Sequence, residues 1–123
     1  MANGLTKHLR NFAGEVTRGL GIPRACARII EVLAIKRRKL SFHELAESVK
    51  MSERSLRSHI RILVGKGILR REVAVTPRRR LSYEYYIVPL QELLAMVRNE
   101  LAKRLSRLEK LSSEVRTGKK ATA

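Results

Sequence analysis

Two helix-start signals, eleven residues apart, constrain this chain more than any other feature of its sequence. Ser41 is followed three residues later by Glu44, the capping-box pattern in which the two side chains satisfy free backbone amides reciprocally. Ser52 is a second strong N-cap residue and is followed by an acidic residue that favours a first helical turn. We therefore predict two short helices joined by a tight turn, the first ending near Lys50 and the second covering 52–66.

The residues after the second helix predict a β-hairpin. Gly65 and Gly67 form a C-cap signature. Residues 68–75 and 81–88 are rich in β-branched and aromatic side chains, and the polar turn 76–80 separates them. A hairpin directly after a helix-turn-helix is a wing. The predicted fold class is therefore mainly α with a small β-hairpin, a winged helix-turn-helix that ends in a long C-terminal coiled-coil helix.

Two amphipathic segments precede the capping box. Residues 5–18 and a second stretch, from Pro23 to a point before Lys39, both carry apolar residues at helical spacing. The apolar positions are Leu5, Leu9, Phe12, Val16, Ile22, Cys26, Ile29, Ile30 and Leu33. The only cysteine lies within this second stripe, which predicts a small buried hydrophobe rather than a redox sensor.

The C-terminal third predicts a dimerisation helix. It begins at Pro89 and meets no helix breaker before Gly118. Apolar residues alternate at spacings of three and four over more than three heptads, the pattern of a coiled-coil seam, which only Arg104 interrupts. The predicted dimerisation residues are Leu90, Leu94, Val97, Leu101, Leu108, Leu111 and Val115. Parallel and antiparallel pairing both fit this pattern.

The charge of the chain points to a polyanionic partner. Lys and Arg number 27 against 11 acidic residues, for a net charge of +16. Basic residues are spread along the chain rather than concentrated on one amphipathic segment, and no apolar run approaches the ~20 residues of a membrane span. We therefore expect a cytoplasmic, nucleoid-associated protein with no membrane partner. Its expected parts are a winged-helix DNA-binding domain with an N-terminal helix (1–88), a coiled-coil dimerisation helix (89–115) and a disordered basic tail (116–123).

The helix over 52–66 carries the candidate base contacts. Its buried stripe turns the arginines outward, and arginine suits guanine edges and phosphates. The wing tip adds three consecutive arginines for the backbone or the minor groove. The predicted DNA-binding residues are Ser52, Arg54, Ser55, Arg57, Ser58, Arg61, Arg78, Arg79 and Arg80. Weaker phosphate candidates are Arg37, Arg38, Lys39, Arg70 and Arg71.

Catalytic chemistry finds no support in the sequence. His8, His43 and His59 lie on three separate segments without metal-ligand spacing. Neither a glycine-rich phosphate loop nor a paired-carboxylate arrangement is present. We therefore predict no enzyme, no catalytic residue, no cofactor and no metal.

With these elements placed, the chain resembles a family. The runs 45–46, 52–56 and 63–69, the last reading Leu-Val-Gly-Lys-Gly-Ile-Leu, resemble the winged-helix core of archaeal TrmB-type and MarR-like transcriptional regulators over 23–88. The final helix is similar to the dimerisation helix of small crenarchaeal Lrs-type regulators. The resemblance implies that the outward residues of 52–66 read the major groove, that the wing arginines engage its neighbouring groove, and that 90–115 pairs two subunits. Because no further domain follows the coiled coil, no small-molecule effector is expected.

These observations predict a homodimeric protein that binds double-stranded DNA and regulates transcription. Two alternatives stay open. An architectural chromatin protein with little sequence preference would use the same charge. An RNA- or ribosome-associated winged helix could stack bases on Tyr83, Tyr85 and Tyr86, although packing of the hairpin against helices explains these rings as well. The target sequence and the choice between activator, repressor and architectural roles are not encoded in these patterns.

Overall fold

The computed structural model describes residues 2–118 and contains five helices and three strands within that range. The elements are α1 (Ala2–Leu20), α2 (Cys26–Lys36), β1 (Leu40–Ser41), α3 (Phe42–Val49), α4 (Glu53–Gly65), β2 (Leu69–Val75), β3 (Leu81–Ile87) and α5 (Leu90–Arg116). This confirms the predicted fold class, a winged helix-turn-helix followed by a long helix. The predicted disordered tail begins with the last residue of α5, and its residues 119–123 lie outside the described residues.

Both predicted caps of the helix-turn-helix are present. The backbone N–H of Glu44 donates to Ser41 Oγ at 3.1 Å, and the N–H of Ser41 donates to Glu44 Oε1 at 3.0 Å. These bonds, with the nearby Arg38 guanidinium, lower the pKa of the Glu44 carboxyl. Ser52 Oγ likewise accepts from a backbone N–H in the first turn of α4, at 3.1 Å. Local sequence chemistry therefore fixes where both helices begin.

The sheet has one strand more than the predicted hairpin. It is antiparallel with the order β1-β3-β2, and the short strand β1 pairs Leu40 with Tyr85. The hairpin register runs from Leu69 opposite Ile87 to Val75 opposite Leu81. A two-residue strand is too short to display a period of two, so no sequence pattern announces β1.

The first two helices differ at their ends from the prediction. Helix α1 continues through Gly19 to Leu20, and α2 begins only at Cys26, because Pro23 and the next two residues form a turn in which the Cys26 N–H donates to the Pro23 carbonyl at 3.0 Å. Leu5, predicted on the buried face of α1, is 55% exposed. Cys26 is fully buried as predicted, and burial raises the pKa of its thiol to about 11.

Helix α5 is attached to the winged helix rather than merely appended to it. Its Leu93 is completely buried within the same core as Leu33, Leu56 and Leu69. One turn later, Val97 lies directly against Gly19 of α1, where a Cβ atom would come within 2.8 Å of Val97 Cγ1. This close approach explains why the last turn of α1 contains a glycine inside a helix.

The packing of α1 on α5 yields a prediction with a built-in control. Gly19→Ala should lower the free energy of unfolding by about 1–3 kcal/mol, because the stiff Val97 side chain must shift to admit the new methyl group. Gly14→Ala lies in the same helix but meets nothing within 4 Å of its Cβ, so it should raise stability by about 0.5–1 kcal/mol through helix propensity. Urea denaturation followed by circular dichroism measures both. Equal effects of the two substitutions would contradict the α1–α5 contact.

Candidate nucleic-acid interface

Helix α4 separates an apolar face from a basic face. Leu56, Ile60 and Leu63 are buried, whereas Arg54 and Arg61 lie two helical turns apart on the opposite, exposed side. Neither arginine forms an ion pair or a hydrogen bond with any residue in the part of the chain that the structure describes. Both guanidinium groups therefore keep all their donors for an external partner.

Arg57 lies at the edge of this basic face and is held in place. Its guanidinium carbon is 4.4 Å from the centre of the Phe42 ring, so α3 supplies the platform on which this side chain rests. The stack leaves the edge of the guanidinium plane free to donate hydrogen bonds. Arg57 also lines the groove between α4 and the wing, together with Arg71 and Tyr85 of the sheet.

The three serines at the N-cap and in the first turns of α4 are not equivalent. Ser52 uses its hydroxyl oxygen as the N-cap acceptor, and the half-buried Ser55 hydroxyl lies 3.3 Å from His59 Nδ1. Ser58 is exposed beside Arg54 and forms no hydrogen bond among residues 2–118. Of these predicted contact residues, Ser58 therefore has the hydroxyl most free to bind a nucleic acid.

The wing tip is an ordered turn that presents its arginines to solvent. The Arg79 N–H donates to the Thr76 carbonyl at 2.8 Å, and the Arg80 N–H donates to Thr76 Oγ1 at 3.1 Å. Pro77 occupies the second turn position, which its fixed φ favours. Arg79 adopts a left-handed backbone with φ of 56°. Arg78, Arg79 and Arg80 are all exposed, and none pairs with a carboxylate of the described chain.

Most of the weaker phosphate candidates are neutralised within the fold. The pairs are Arg38 with Glu44 at 3.0 Å, Arg70 with Glu92 at 3.3 Å, and Lys39 with Glu72. The Glu72 carboxylate, which accepts a hydrogen bond from Lys39, raises the pKa of that ammonium group. Of the same group, Arg37 is exposed and closes α2 in a left-handed conformation with φ of 54°.

Arg71, one of the weaker phosphate candidates from the sequence, is unpaired within the described chain and lies beside α4. Successive residues of a strand point to opposite faces, so Arg71 lies on the face that looks towards α4 while Arg70 lies on the other. Its guanidinium carbon is 4.5 Å from the centre of the Tyr83 ring, and it pairs with no carboxylate of residues 2–118. Strict alternation along the predicted strand is the sequence signal that separates the two arginines.

The tyrosines of the wing serve packing and support. Tyr85 is buried beneath the sheet, and its ring centre lies 6.5 Å from that of Tyr83 in a tilted arrangement. Tyr83 carries the Arg71 guanidinium over its ring, and Tyr86 carries Lys39 at 5.5 Å. The two more exposed rings therefore already have a cation over one face.

Helix α5 leaves an apolar stripe uncovered beyond its contact with α1. The stripe, hereafter the α5 stripe, comprises Leu101, Leu105, Leu108, Leu111 and Val115, which are 49–79% exposed. Arg104, which interrupts the heptad pattern, forms an ion pair with Glu100 at 3.4 Å and extends towards Gly21 at the end of α1. Its charge is thus accommodated beside a helix C-terminus, where cations are favoured.

Two further features bear on function. In the part of the chain that the structure describes, no helix has the length and apolarity needed to cross a bilayer. Within the same range, no group of three or more His, Cys, Asp or Glu side chains is placed to hold a metal ion.

Comparison with known proteins finds structural relatives only. No protein-family profile matches the sequence, and no curated protein matches it significantly. The fold is similar to that of a protein from Methanosarcina mazei Go1 described as a possible transcriptional regulator, with TM-score 0.74, 17% identity, and coverage of 80% of this chain and 83% of that one.

Two more solved structures share the architecture. A protein from the thermoacidophilic archaeon Sulfolobus tokodaii matches with TM-score 0.63 and 21% identity over 85% of this chain and 97% of its own. A MarR-family transcriptional regulator from Silicibacter pomeroyi matches with TM-score 0.51 and 18% identity over 98% of this chain and 88% of its own. At these identities the likeness establishes the winged-helix fold.

The left-handed residue at the wing tip generates a testable prediction. Arg79→Ala places a Cβ-bearing residue at φ of 56° and should cost about 1 kcal/mol more in the free energy of unfolding than Arg79→Gly, which removes the same charge without strain. Urea unfolding of the two variants measures the difference. Equal stabilities would contradict the left-handed turn. Arg79→Gly is accordingly the better variant for testing the charge of the wing.

Proposed function

We propose that this protein is a homodimeric, winged-helix regulator of transcription that binds double-stranded DNA. The observation that carries the proposal is the surface formed by the outer face of α4 and the wing tip. Its arginines, Arg54, Arg61 and 78–80, have no carboxylate partner within the described chain. Five unpaired arginines are thus concentrated on two neighbouring elements, and this local density of positive charge favours the binding of a polyanion.

The mechanism follows from the shape of the two elements. Helix α4 is 13 residues long and enters the major groove, where Arg54 and Arg61 form bidentate bonds to guanine edges and Ser58 contacts a base or phosphate. The wing projects beside it, and its tip arginines bind the backbone or the adjacent minor groove. Regulation comes from occupying a promoter and thereby blocking or recruiting polymerase, without any catalytic step, cofactor or small-molecule effector.

Solved relatives support the DNA partner. Two of the neighbours above are described as transcriptional regulators. In addition, a mutant of MepR from S. aureus, with TM-score 0.52 and 12% identity over 94% of this chain and 88% of its own, was solved bound to an oligodeoxyribonucleotide. The likeness of fold makes the corresponding surface of this chain a reasonable place for duplex DNA.

The dimer is proposed from the α5 stripe. Five large apolar residues at 49–79% exposure along one helix form a surface that a soluble single chain rarely leaves open. Burying it against a second copy removes this surface from water, and two-fold symmetry then presents two recognition helices roughly 34 Å apart, one turn of DNA. Leu90, Leu94 and Val97 extend the interface towards the domain, although Val97 already packs on Gly19.

The architectural alternative keeps a specific observation in its favour. With a net charge of +16 per chain, phosphate contacts alone supply a large non-specific affinity. RNA binding through stacked bases gains no such support, because Arg71 and Lys39 already lie over the Tyr83 and Tyr86 rings. The experiment below therefore separates sequence-reading from purely electrostatic binding.

Base reading predicts different behaviour for helix and wing. Arg54→Ala or Arg61→Ala should weaken binding to a promoter fragment of the protein's own gene by about 1–3 kcal/mol while leaving binding to a random duplex of equal length less affected. Arg79→Gly, which removes a wing charge without straining the turn, should weaken binding to both duplexes alike and reduce the salt slope by about 1. Fluorescence anisotropy titrations at two salt concentrations measure the affinity of each protein for the promoter fragment and for the random duplex, and the salt slope of each.

Two results would contradict base reading by α4, and each would favour a different alternative. Equal affinities of the wild type for both duplexes, with the same losses in all three variants, would support the architectural alternative. Tight binding to a structured RNA together with weak binding to either duplex would support RNA association instead.

The dimer generates a second prediction. Leu108→Glu places a charge in the middle of the α5 stripe and should convert a dimer into a monomer in light scattering, because the charge would have to be buried at the interface. Ser106→Glu makes the same charge change on the opposite side of α5 and should leave the dimer intact. A wild-type monomer at micromolar concentration, or equal effects of the two variants, would contradict the proposed interface.

A further inference from the structure

A shallow groove separates α4 from the wing. Its volume is about 480 Å³, and its lining includes Arg57 and Arg61 from α4, Phe42 from α3, and Arg71 and Tyr85 from the sheet. The charge of the groove is one-sided, because its lining contains three arginines and no acidic residue. None of the three forms an ion pair with a described carboxylate.

Two of these arginines rest on aromatic rings in the free protein. Arg57 rests on the Phe42 ring at 4.4 Å, and Arg71 rests on the Tyr83 ring at 4.5 Å. An arginine normally loses much rotamer freedom when it binds a ligand, and a side chain already held on an aromatic face loses less. The stacks also orient each guanidinium so that its edge remains free for bidentate bonds to oxygen.

On the opposite face of the same sheet, the basic side chains are paired with carboxylates instead of aromatic rings. There, Arg70 is paired with Glu92 at 3.3 Å, and Lys39 is paired with Glu72. Arg71 differs from Arg70 by a single step along β2 and has an aromatic support instead of a carboxylate. The fold therefore neutralises one face of the wing and leaves the other positively charged.

The remaining walls of the groove restrict what kind of anion fits. Ile60 and Val64 contribute apolar surface between the arginines, and Tyr85 closes the side formed by the sheet. An inorganic anion would use the arginines alone. A phosphate attached to a sugar would use both the arginines and the apolar surface.

We propose that this groove is a binding site for one sugar–phosphate unit of the DNA backbone, held between the recognition helix and the wing. Arg57 and Arg71 bind the phosphate oxygens, while Phe42 and Tyr83 act as positioning residues through the two stacks. Arg61, whose guanidinium reads bases, adds positive charge beside them. The site rests on the proposed function, and it adds a fixed contact between the major-groove helix and the wing. This contact sets the depth and angle at which α4 enters the major groove of the DNA. Its contribution to the binding free energy is the same for every DNA sequence.

Arg70 and Arg71, which are adjacent in β2 but lie on opposite faces of the sheet, provide a matched test of this phosphate site. Arg71→Gln and Arg70→Gln make the same charge change one residue apart. Arg71→Gln should weaken binding about tenfold to promoter and random duplexes alike, and lower the slope of log K against log salt by about 0.9. Arg70→Gln should change affinity less than threefold. Thermal unfolding of both variants verifies that each remains folded.

The aromatic support is tested without changing any charge. Tyr83→Leu should weaken both duplexes about threefold while leaving the salt slope unchanged, because Arg71 remains present but is no longer held in place. Tyr83→Phe keeps the ring and should bind both duplexes like the wild type, which it would not do if the hydroxyl group of Tyr83 made the contact. Tyr83 is 43% exposed, so these substitutions avoid the core.

The outcomes separate this site from the proposed function. If the wild type binds duplex but Arg70→Gln and Arg71→Gln behave alike, the groove is not a phosphate site and the proposed function stands. If the wild type binds no duplex, both proposals fail. If inorganic phosphate at constant ionic strength shifts the Arg71 Nε–H resonance of the wild type while Arg71→Gln leaves duplex affinity unchanged, the groove binds free phosphate and the DNA assignment is overturned.

Discussion

The uneven distribution of ion pairs is the constraint on which the functional surface depends. Only 11 acidic side chains face 27 basic ones, so where the acids lie decides which cations remain free. Buried Glu31 lies 3.5 Å from both Arg10 and Arg28 between α1 and α2. Glu92 and Glu72 pair with Arg70 and Lys39 on the face of the sheet that points away from α4. Helix α4 has its only acid, Glu53, in the first turn, where it favours the helix dipole. The proposed DNA-binding surface is therefore built from arginines that the fold leaves unpaired among the described residues.

A second constraint links the domain to the long helix. Leu93 and Val97 fix the start of α5 against the core and α1, so the direction in which the α5 stripe projects is set by packing in the domain. A dimer built on that stripe would carry two recognition helices at a fixed separation. Arg104, placed beside the end of α1 and paired with Glu100, shows how a charge enters the seam pattern without facing a partner.

Features set by neighbouring residues could be predicted from the sequence, and features set by distant contacts could not. The caps at Ser41 and Ser52 depend on side chains within three residues, which is why the starts of α3 and α4 were predictable. Strand β1 exists only because Leu40 meets Tyr85 across 45 positions of chain. The left-handed conformation of Arg79 is held by local hydrogen bonds to Thr76, but it was not predictable because arginine has no preference for this conformation.

The residues of the candidate site also differ in whether the sequence could predict their surroundings. The outward direction of Arg54 and Arg61 follows from the helical period, and the structure has both exposed. The sequence could not show that Glu92 neutralises Arg70 while Tyr83 supports Arg71, because both partners come from elements that approach only in three dimensions. The Ser55 hydroxyl, which we expected to face a phosphate, instead lies 3.3 Å from His59 Nδ1, one turn along the same helix, a local contact that the spacing of four residues could have indicated.

The central claim is that duplex DNA binds where unpaired arginines cluster on α4 and the wing, and not along the basic chain as a whole. An NMR titration of the ¹⁵N-labelled protein with a short duplex tests it most directly. The account predicts that the largest amide and arginine Nε–H shifts fall in α4, at the wing tip and at Arg71, with small changes around Arg10, Arg28 and Arg70. Shifts concentrated in α1 and α2, or spread evenly over all basic residues, would contradict it.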